Sequence, residues 1–389
     1  MSLKHTVLKL GVAGLRAIYA PLKLQKTKNR IVILSRQSKS ETMDIRMLRE
    51  YIEQNHPETE IKVLVRFIEP GIGSKIAYGF HVLSQMKEIA ASRAVVIDGY
   101  CIAASVLDHK PETTVIQMWH SMAAIKKFGR QTVGKEGGSS AEIADIMCMH
   151  RNYDFVISPG EETGRLFCRG FGCSEDRLVN LCLPRIDYIS DAGTGDLPEL
   201  PAGMKKSADE SRDRELLLYA PTFRKNEGLR IGELIEAVDF DKFTLVIKPH
   251  PLDVEDISRE IRECGHEEDI IVDDTYGTFA WLKVCDRVIT DYSAVAVESL
   301  VTGKPLYFYV YDIDEYEEKV GLNINPLEEV PGISAADGAA LRKLLREPYN
   351  YEEQKGFREK YLTAGTEDCT KQLAEFITGV ANGNIKKTR

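Results

Sequence analysis

None of the eight cysteines forms a C-x-x-C pair with another, which leaves no paired-cysteine metal or redox motif. Several lie inside apolar runs, where a free thiol behaves as a small hydrophobe, and reduced cytosolic cysteines are expected. No stretch approaches the 18 or more apolar residues that a membrane span needs. The N-terminus lacks the continuous apolar core and small-residue cleavage site of a secretory signal, so secretion is not expected. Acidic residues are absent from residues 1–40, which hold nine Lys or Arg. The net charge of −9 therefore hides a remainder of twice that size, and a surface that coats nucleic acid is excluded.

What is present is enough for two domains, because 389 residues exceed the roughly 100–200 of an ordinary one. Residues 2–24 set Leu3, Val7, Leu10, Leu15, Ile18 and Leu22 among Lys4, Lys9, Arg16 and Lys23, and the basic run continues through Lys26, Lys28 and Arg30. Such a segment suits the headgroup region of an anionic leaflet, where each cation contributes about 1 kcal/mol. It suits equally a first helix packed on its domain with its basic residues in water.

Beyond residue 30 short apolar runs of strand type (31–35, 61–67, 94–98, 114–119, 151–160) alternate with helical patterns (40–54, 76–90). Alternation of this kind predicts a mostly parallel sheet with helices on both faces. Residues 193–214 are polar, with two prolines and three glycines, and are expected to form a linker. Strand-type runs resume at 216–219, 243–247, 269–272 and 287–290, with helical patterns at 276–284 and from 335 onward, including 368–380. The expected organisation is a basic N-terminal segment (1–30), an N-terminal α/β domain (31–192), the linker (193–214), and a C-terminal α/β domain carrying the last helices (215–389).

Residues 284–311 are the most informative. The run 287–290 is followed by Asp291-Tyr-Ser293, which predicts N-cap residues for a helix ending at Gly303, and a second strand begins after Pro305. At the carboxyl end of a parallel sheet such a helix start offers unpaired N–H groups to a phosphate, and Glu298 on its second turn suits a ribose. Each piece also has a bland reading, as an ordinary cap or a solvated glutamate. Two further strand runs end in cations, at Arg224 and at Lys248-Pro249-His250, which are expected to gather near Ser293 and balance a diphosphate. His120 follows the run 114–119, a position suited to proton transfer, although a structural histidine fits as well. GRQTVGK at 129–135 imitates a P-loop, but Glu136 stands where a magnesium-binding hydroxyl belongs. Cys148-Met-His150 has no partner pair, and Asp312-Ile-Asp314, beside Glu315 and Glu317, suits a solvated acidic turn. Neither a metal nor another cofactor is expected.

QMWHS (117–121), KKFG (126–129), RNYDFVISPGE (151–161), LPRID (183–187), YAPTFR (219–224), IKPHP (247–251) and DRVITDYSAVAVES (286–299) together resemble the CDP-glycerol glycerophosphotransferase family of wall teichoic acid synthesis. The length resembles that of the short priming enzymes. The resemblance implies a GT-B-like architecture of two facing Rossmann-like domains with a cleft between them, peripheral on the cytoplasmic face of the membrane. It implies transfer of glycerol phosphate from CDP-glycerol to an undecaprenyl-diphosphate-linked disaccharide, releasing CMP. His120 matches the family's candidate general base and His250 its donor-phosphate histidine, the two facing one another across the cleft. Arg224, Ser293 and Glu298 match positions around the phosphates and ribose, and Lys248, Thr290, Asp291, Ser121 and Arg185, in the same motifs, complete the candidate substrate-binding set. Ser121 departs from the family's usual Gly or Ala. Other readings of the same residues are transfer of another CDP-activated polyol such as ribitol, a GT-B glycosyltransferase or epimerase using a nucleotide sugar, and a catalytically idle membrane-surface scaffold.

Overall fold

A computed structural model describes residues 3–135, 137–191, 197–198, 214–222, 224, 229–249 and 254–387. The expected linker falls mostly outside the described residues. The chain forms two α/β units, each around a six-stranded parallel sheet. In the first unit the strands are β1 (Lys28–Ser35), β2 (Glu60–Val65), β3 (Ser92–Ile97), β4 (Thr114–Gln117), β5 (Phe155–Ser158) and β6 (Leu178–Asn180). They lie in the order β2-β1-β3-β4-β5-β6. The second unit contains β7 (Glu215–Tyr219), β8 (Phe243–Ile247), β9 (Ile270–Val272), β10 (Arg287–Thr290), β11 (Leu306–Tyr309) and β12 (Ser334–Ala335), in the order β12-β11-β10-β7-β8-β9. Parallel sheets are covered on both faces, which is why Ile31-Val-Ile-Leu34 and Ala94-Val-Val-Ile97 are buried without a polar residue between. The strands β12 and β6 escaped the sequence reading because Ser334-Ala335 and Leu178-Val-Asn180 contain no apolar run of more than two residues.

Each sheet has a point where strand order reverses, β1/β3 in the first unit and β7/β10 in the second. Crevices at the carboxyl ends of strands beside such points are where open α/β sheets bind ligands.

The units are not contiguous in sequence. The first comprises residues 1–122, 127–185 and 363–389, the second 123–126 and 186–362. The helix Cys369–Asn382, expected with the second domain, packs instead on β3 and on the helix α2 (Met43–Asn55), burying Leu373, Ala374, Ile377 and Val380. Its apolar stripe completes the layer over the first sheet, and sequence order alone gave no hint of that return. The first helix, α1 (Leu3–Leu22), also belongs to this unit. It buries Val12 and Tyr19, with the Tyr19 hydroxyl 3.0 Å from His109 Nδ1 and Arg16 Nε donating to the Val106 carbonyl at 2.9 Å. Arg30, read as the end of a basic surface run, is buried and paired with Glu88 at 2.5 Å and with Glu60. Among the described residues no helix is long and apolar enough to cross a membrane.

One tryptophan sits in each unit, Trp119 in the first and Trp281 in the second. In a W281F background, Trp119 fluorescence should therefore report the first unit alone. Adding Leu373→Ala, which empties a fully buried position, is expected to lower its stability in urea by about 2–5 kcal/mol. An unchanged midpoint would place the last helix outside that unit's folding.

Candidate active site

In the first unit the site is built on the turn after β4. Gln117 is buried, its Oε1 accepts the Trp119 N–H at 2.9 Å, and its Nε2 donates to the Gly99 carbonyl at 3.3 Å. Trp119 then takes a left-handed backbone, φ 57°, which costs a bulky residue about 1–2 kcal/mol. Its ring offsets that cost by packing on Phe128 (centroids 5.0 Å apart), Phe171 (5.1 Å) and His150 (6.3 Å). The reversal at Trp119 leaves His120 exposed at the strand's carboxyl end, its ring 4.2 Å from the indole.

His120 Nδ1 lies 2.9 Å from the Asp98 carbonyl oxygen. A carbonyl can only accept, so Nδ1 carries the proton of the neutral ring and Nε2 is its basic nitrogen. Asp98 is itself buried at the β1/β3 reversal, where Ser35 Oγ donates to its Oδ2 at 2.6 Å. Burial pushes this carboxyl up from 3.8 to about 6, and the Ser35 hydrogen bond opposes the rise. His150, by contrast, is buried beside the Tyr153 hydroxyl, and burial lowers its pKa to about 4, which keeps it neutral. Ser121 is half-buried next to His120. Arg185 is held in a buried ion pair, its backbone N–H and Nε meeting Asp44 at 2.8 and 2.9 Å, and both charges of the pair act on Asp98.

In the second unit the loops after β7 and β10 continue the strand pairing. Ala220 N–H donates to the Ile289 carbonyl at 3.0 Å, and Thr290 Oγ1 returns a bond to the Ala220 carbonyl at 2.7 Å. Thr222 N–H then meets both Asp291 carboxylate oxygens, at 2.8 and 3.0 Å. Asp291 is thus a strut between two loops rather than the helix cap expected of it. The helix beyond is shorter than expected, Val295–Ser299 followed by a 3₁₀ turn that Gly303 ends at φ 68°. The N–H groups of residues 295–298 already have acceptors, including Ser293 Oγ at 3.4 Å from Val295 N, which leaves the donors expected of this start to the turn residues Ser293 and Ala294. Glu298 is buried.

Arg224 is the centre of this cluster. Its Nη1 reaches Asp291 at 2.7 Å and the Thr222 carbonyl at 3.0 Å, while Nε and Nη2 grip Asp312 at 2.6 and 3.0 Å. Burial works against its charge, but Asp312 and Asp291 outweigh it and hold the guanidinium above its ordinary range. Asp312 is therefore no solvated turn residue. It also accepts the Tyr292 hydroxyl at 3.0 Å, and the Tyr292 and Tyr316 rings stack 4.0 Å apart. The sequence reading missed Asp312 because Glu315 and Glu317 colour its neighbourhood as acidic surface. Lys248 follows β8 as expected and donates to the Asp273 carbonyl at 2.8 Å. His250 lies outside the described residues.

The structure thus brings Arg224, Thr290, Asp291 and Ser293 together at one reversal, and His120 near another with Asp98. Asp98, Asp312 and the left-handed Trp119 are contributions that no local motif announced.

Against known proteins, the model of the CDP-glycerol:poly(glycerophosphate) glycerophosphotransferases matches residues 18–379. A teichoic acid ribitol-phosphate primase from Bacillus spizizenii is 27% identical, over 90% of this chain and 91% of its own. A teichoic acid glycerol-phosphate primase from Bacillus subtilis is 28% identical over 76% of each. Among solved structures, the wall teichoic acid polymerase TagF superposes with a TM-score of 0.66 at 18% identity, covering 99% of both chains. A UDP-N-acetylglucosamine 2-epimerase gives 0.59 at 12% identity, covering 94% of this chain and 99% of its own. These likenesses establish a GT-B-like fold.

The raised Asp98 pKa has a defined sign. Between about pH 4 and 6 the folded protein keeps a proton that the unfolded chain has lost, so this group's contribution to stability falls as pH rises through that window. Asp98→Asn removes the titration. The stability of D98N relative to the parent should improve by about 2 kcal/mol from pH 4 to 6.5 in urea titrations. A constant difference would mean that the carboxyl titrates normally.

Proposed function

The chain belongs to the CDP-glycerol:poly(glycerophosphate) glycerophosphotransferase family, and from that premise we propose that it transfers glycerol phosphate from CDP-glycerol to a hydroxyl of an undecaprenyl-diphosphate-linked disaccharide. This would be the priming step of a teichoic acid linkage unit, with release of CMP. The observation that carries the reading is the match to the family over residues 18–379, joined to similarity along most of their length to primases.

In this reaction the acceptor oxygen attacks the phosphorus bearing glycerol, the bond from that phosphorus to the bridging oxygen of CMP breaks, and the acceptor proton leaves to a base. The enzyme's work is positioning and charge neutralisation. His120 suits the base: it stands exposed, and its Nδ1–H donation to the Asp98 carbonyl assigns Nε2 as the basic nitrogen. His250 is assigned to the donor phosphates on the family resemblance, with Lys248, Ser293 and Glu298 as further donor-side residues and Ser121 and Arg185 on the acceptor side. Similarity to the ribitol-phosphate primase over 90% of the chain favours a second donor, CDP-ribitol.

The acceptor is lipid-linked in this reading, and α1 supports a peripheral site on an anionic membrane. Val12 and Tyr19 face the unit, while Leu3, Val7 and Leu10 are exposed among Lys4 and Lys9. Ile76 and Phe80 of α3 (Ile72–Ala91), a helix in contact with α1, add exposed apolar surface.

CMP release with CDP-glycerol or CDP-ribitol and a lipid-linked disaccharide tests the assignment, and no turnover with either donor would overturn it. His120→Ala is expected to lower kcat by about 10²–10⁴-fold with donor binding unchanged. In flotation with anionic vesicles, Leu3→Glu/Val7→Glu/Leu10→Glu should leave the protein in the unbound fraction, and co-flotation equal to the parent's would remove α1 from the membrane reading.

A further inference from the structure

The cation expected to balance the donor's diphosphate, Arg224, is already committed. A guanidinium has five N–H donors, and four of Arg224's go to Asp312, Asp291 and the Thr222 carbonyl. Two carboxylates against one guanidinium leave this buried cluster one charge negative. A second cation stands beside it.

Lys126 reaches the second unit through a short excursion of the chain, residues 123–126, directly after the His120 turn. Its backbone is fixed there. Lys126 pairs with Leu322 in an antiparallel bridge, the Ile125 carbonyl accepts the Asn323 N–H at 2.7 Å, and the Lys126 carbonyl accepts Asn323 Nδ2 at 3.2 Å. Burial lowers the Lys126 ammonium's pKa, Asp291 raises it and Arg224 lowers it further, so these are the charges it faces. Among the described residues its ammonium makes no ion pair or hydrogen bond. One more polar group of the cluster is in the same condition: Thr222 Oγ1 is buried with no hydrogen-bond partner, and Thr222 as a whole is 8% exposed. The Tyr311 ring lies 4.9 Å from the Arg224 guanidinium carbon. Buried polar groups in folded proteins almost always have partners, so unpaired groups clustered around one charged site mark where an oxygen-rich ligand is taken up.

We propose that Lys126, together with the Thr222 hydroxyl, binds the diphosphate of the cytidine-diphosphate donor, while Arg224 serves as the fixed counter-charge that holds Asp291 and Asp312 in place. The assignment rests on the donor class proposed above. It also gives the excursion at residues 123–126 a purpose, since it is the segment that delivers the ammonium.

Calorimetric titration of the full chain with CDP-glycerol, CDP and cytidine tests it. Lys126→Met keeps the length of the side chain and removes its charge. It is expected to weaken CDP-glycerol and CDP by about 10- to 100-fold, the size of one charge-assisted hydrogen bond, and to leave cytidine unchanged. Thr222→Val, which removes a hydroxyl with no partner, should show the same selectivity with a smaller loss and no fall in Tm. Parental CDP affinity in both variants overturns the assignment, as does a loss for cytidine as large as that for CDP, which would mark a structural role. A parent protein that binds neither CDP nor CDP-glycerol overturns the donor reading together with it.

Discussion

The second unit depends on one guanidinium. Arg224 draws the loops after β7, β10 and β11 onto a single point through Asp291 and Asp312, and its side chain is only 3% exposed there. Both carboxylates are buried and of like sign, so without the cation between them they would repel in a medium of low dielectric. The interaction therefore fixes geometry: three strand ends are held in register by charge, and Tyr292 and Tyr316 stack beside it. A side chain held so tightly is poorly suited to following a phosphate that changes position and charge during a reaction, which is a reason to look for the mobile cation elsewhere.

The first unit is arranged differently at its reversal. There a carboxyl kept partly protonated by burial bonds to Ser35, and the same residue's backbone carbonyl orients His120. The strained Trp119 backbone is carried by a cluster of rings rather than by charge. One sheet end thus presents an aromatic setting suited to a base, and the other an ion-paired setting suited to phosphate.

Strands 243–247 and 287–290 were legible to the residue because a buried parallel strand is rich in consecutive apolar and β-branched residues. The positions of Arg224, Lys248 and Asp291 at strand ends were legible for the same reason. Their partners were not. Arg224 and Asp312 are 88 residues apart, and nothing local distinguishes a cation bound to two carboxylates from one free for a ligand. Asp312 was misread from its acidic neighbours. Asp291 has the residue type of a cap, and only the approach of the β7 loop turned it into a strut. Lys126 was visible as a letter in a motif, yet its assignment to the second unit follows from a bridge to Leu322, some 200 positions away.

The return of residues 363–389 to the first sheet bears on how the protein is made. A ribosome releases the first unit's strands early, but the helix that covers β3 emerges only after all of the second unit. Domains usually fold as they leave the ribosome, N-terminal first. Here the order is inverted: the later-synthesised unit is the first whose parts are all available, and until residues 369–382 have been made the apolar layer that this helix covers on the first sheet stays open.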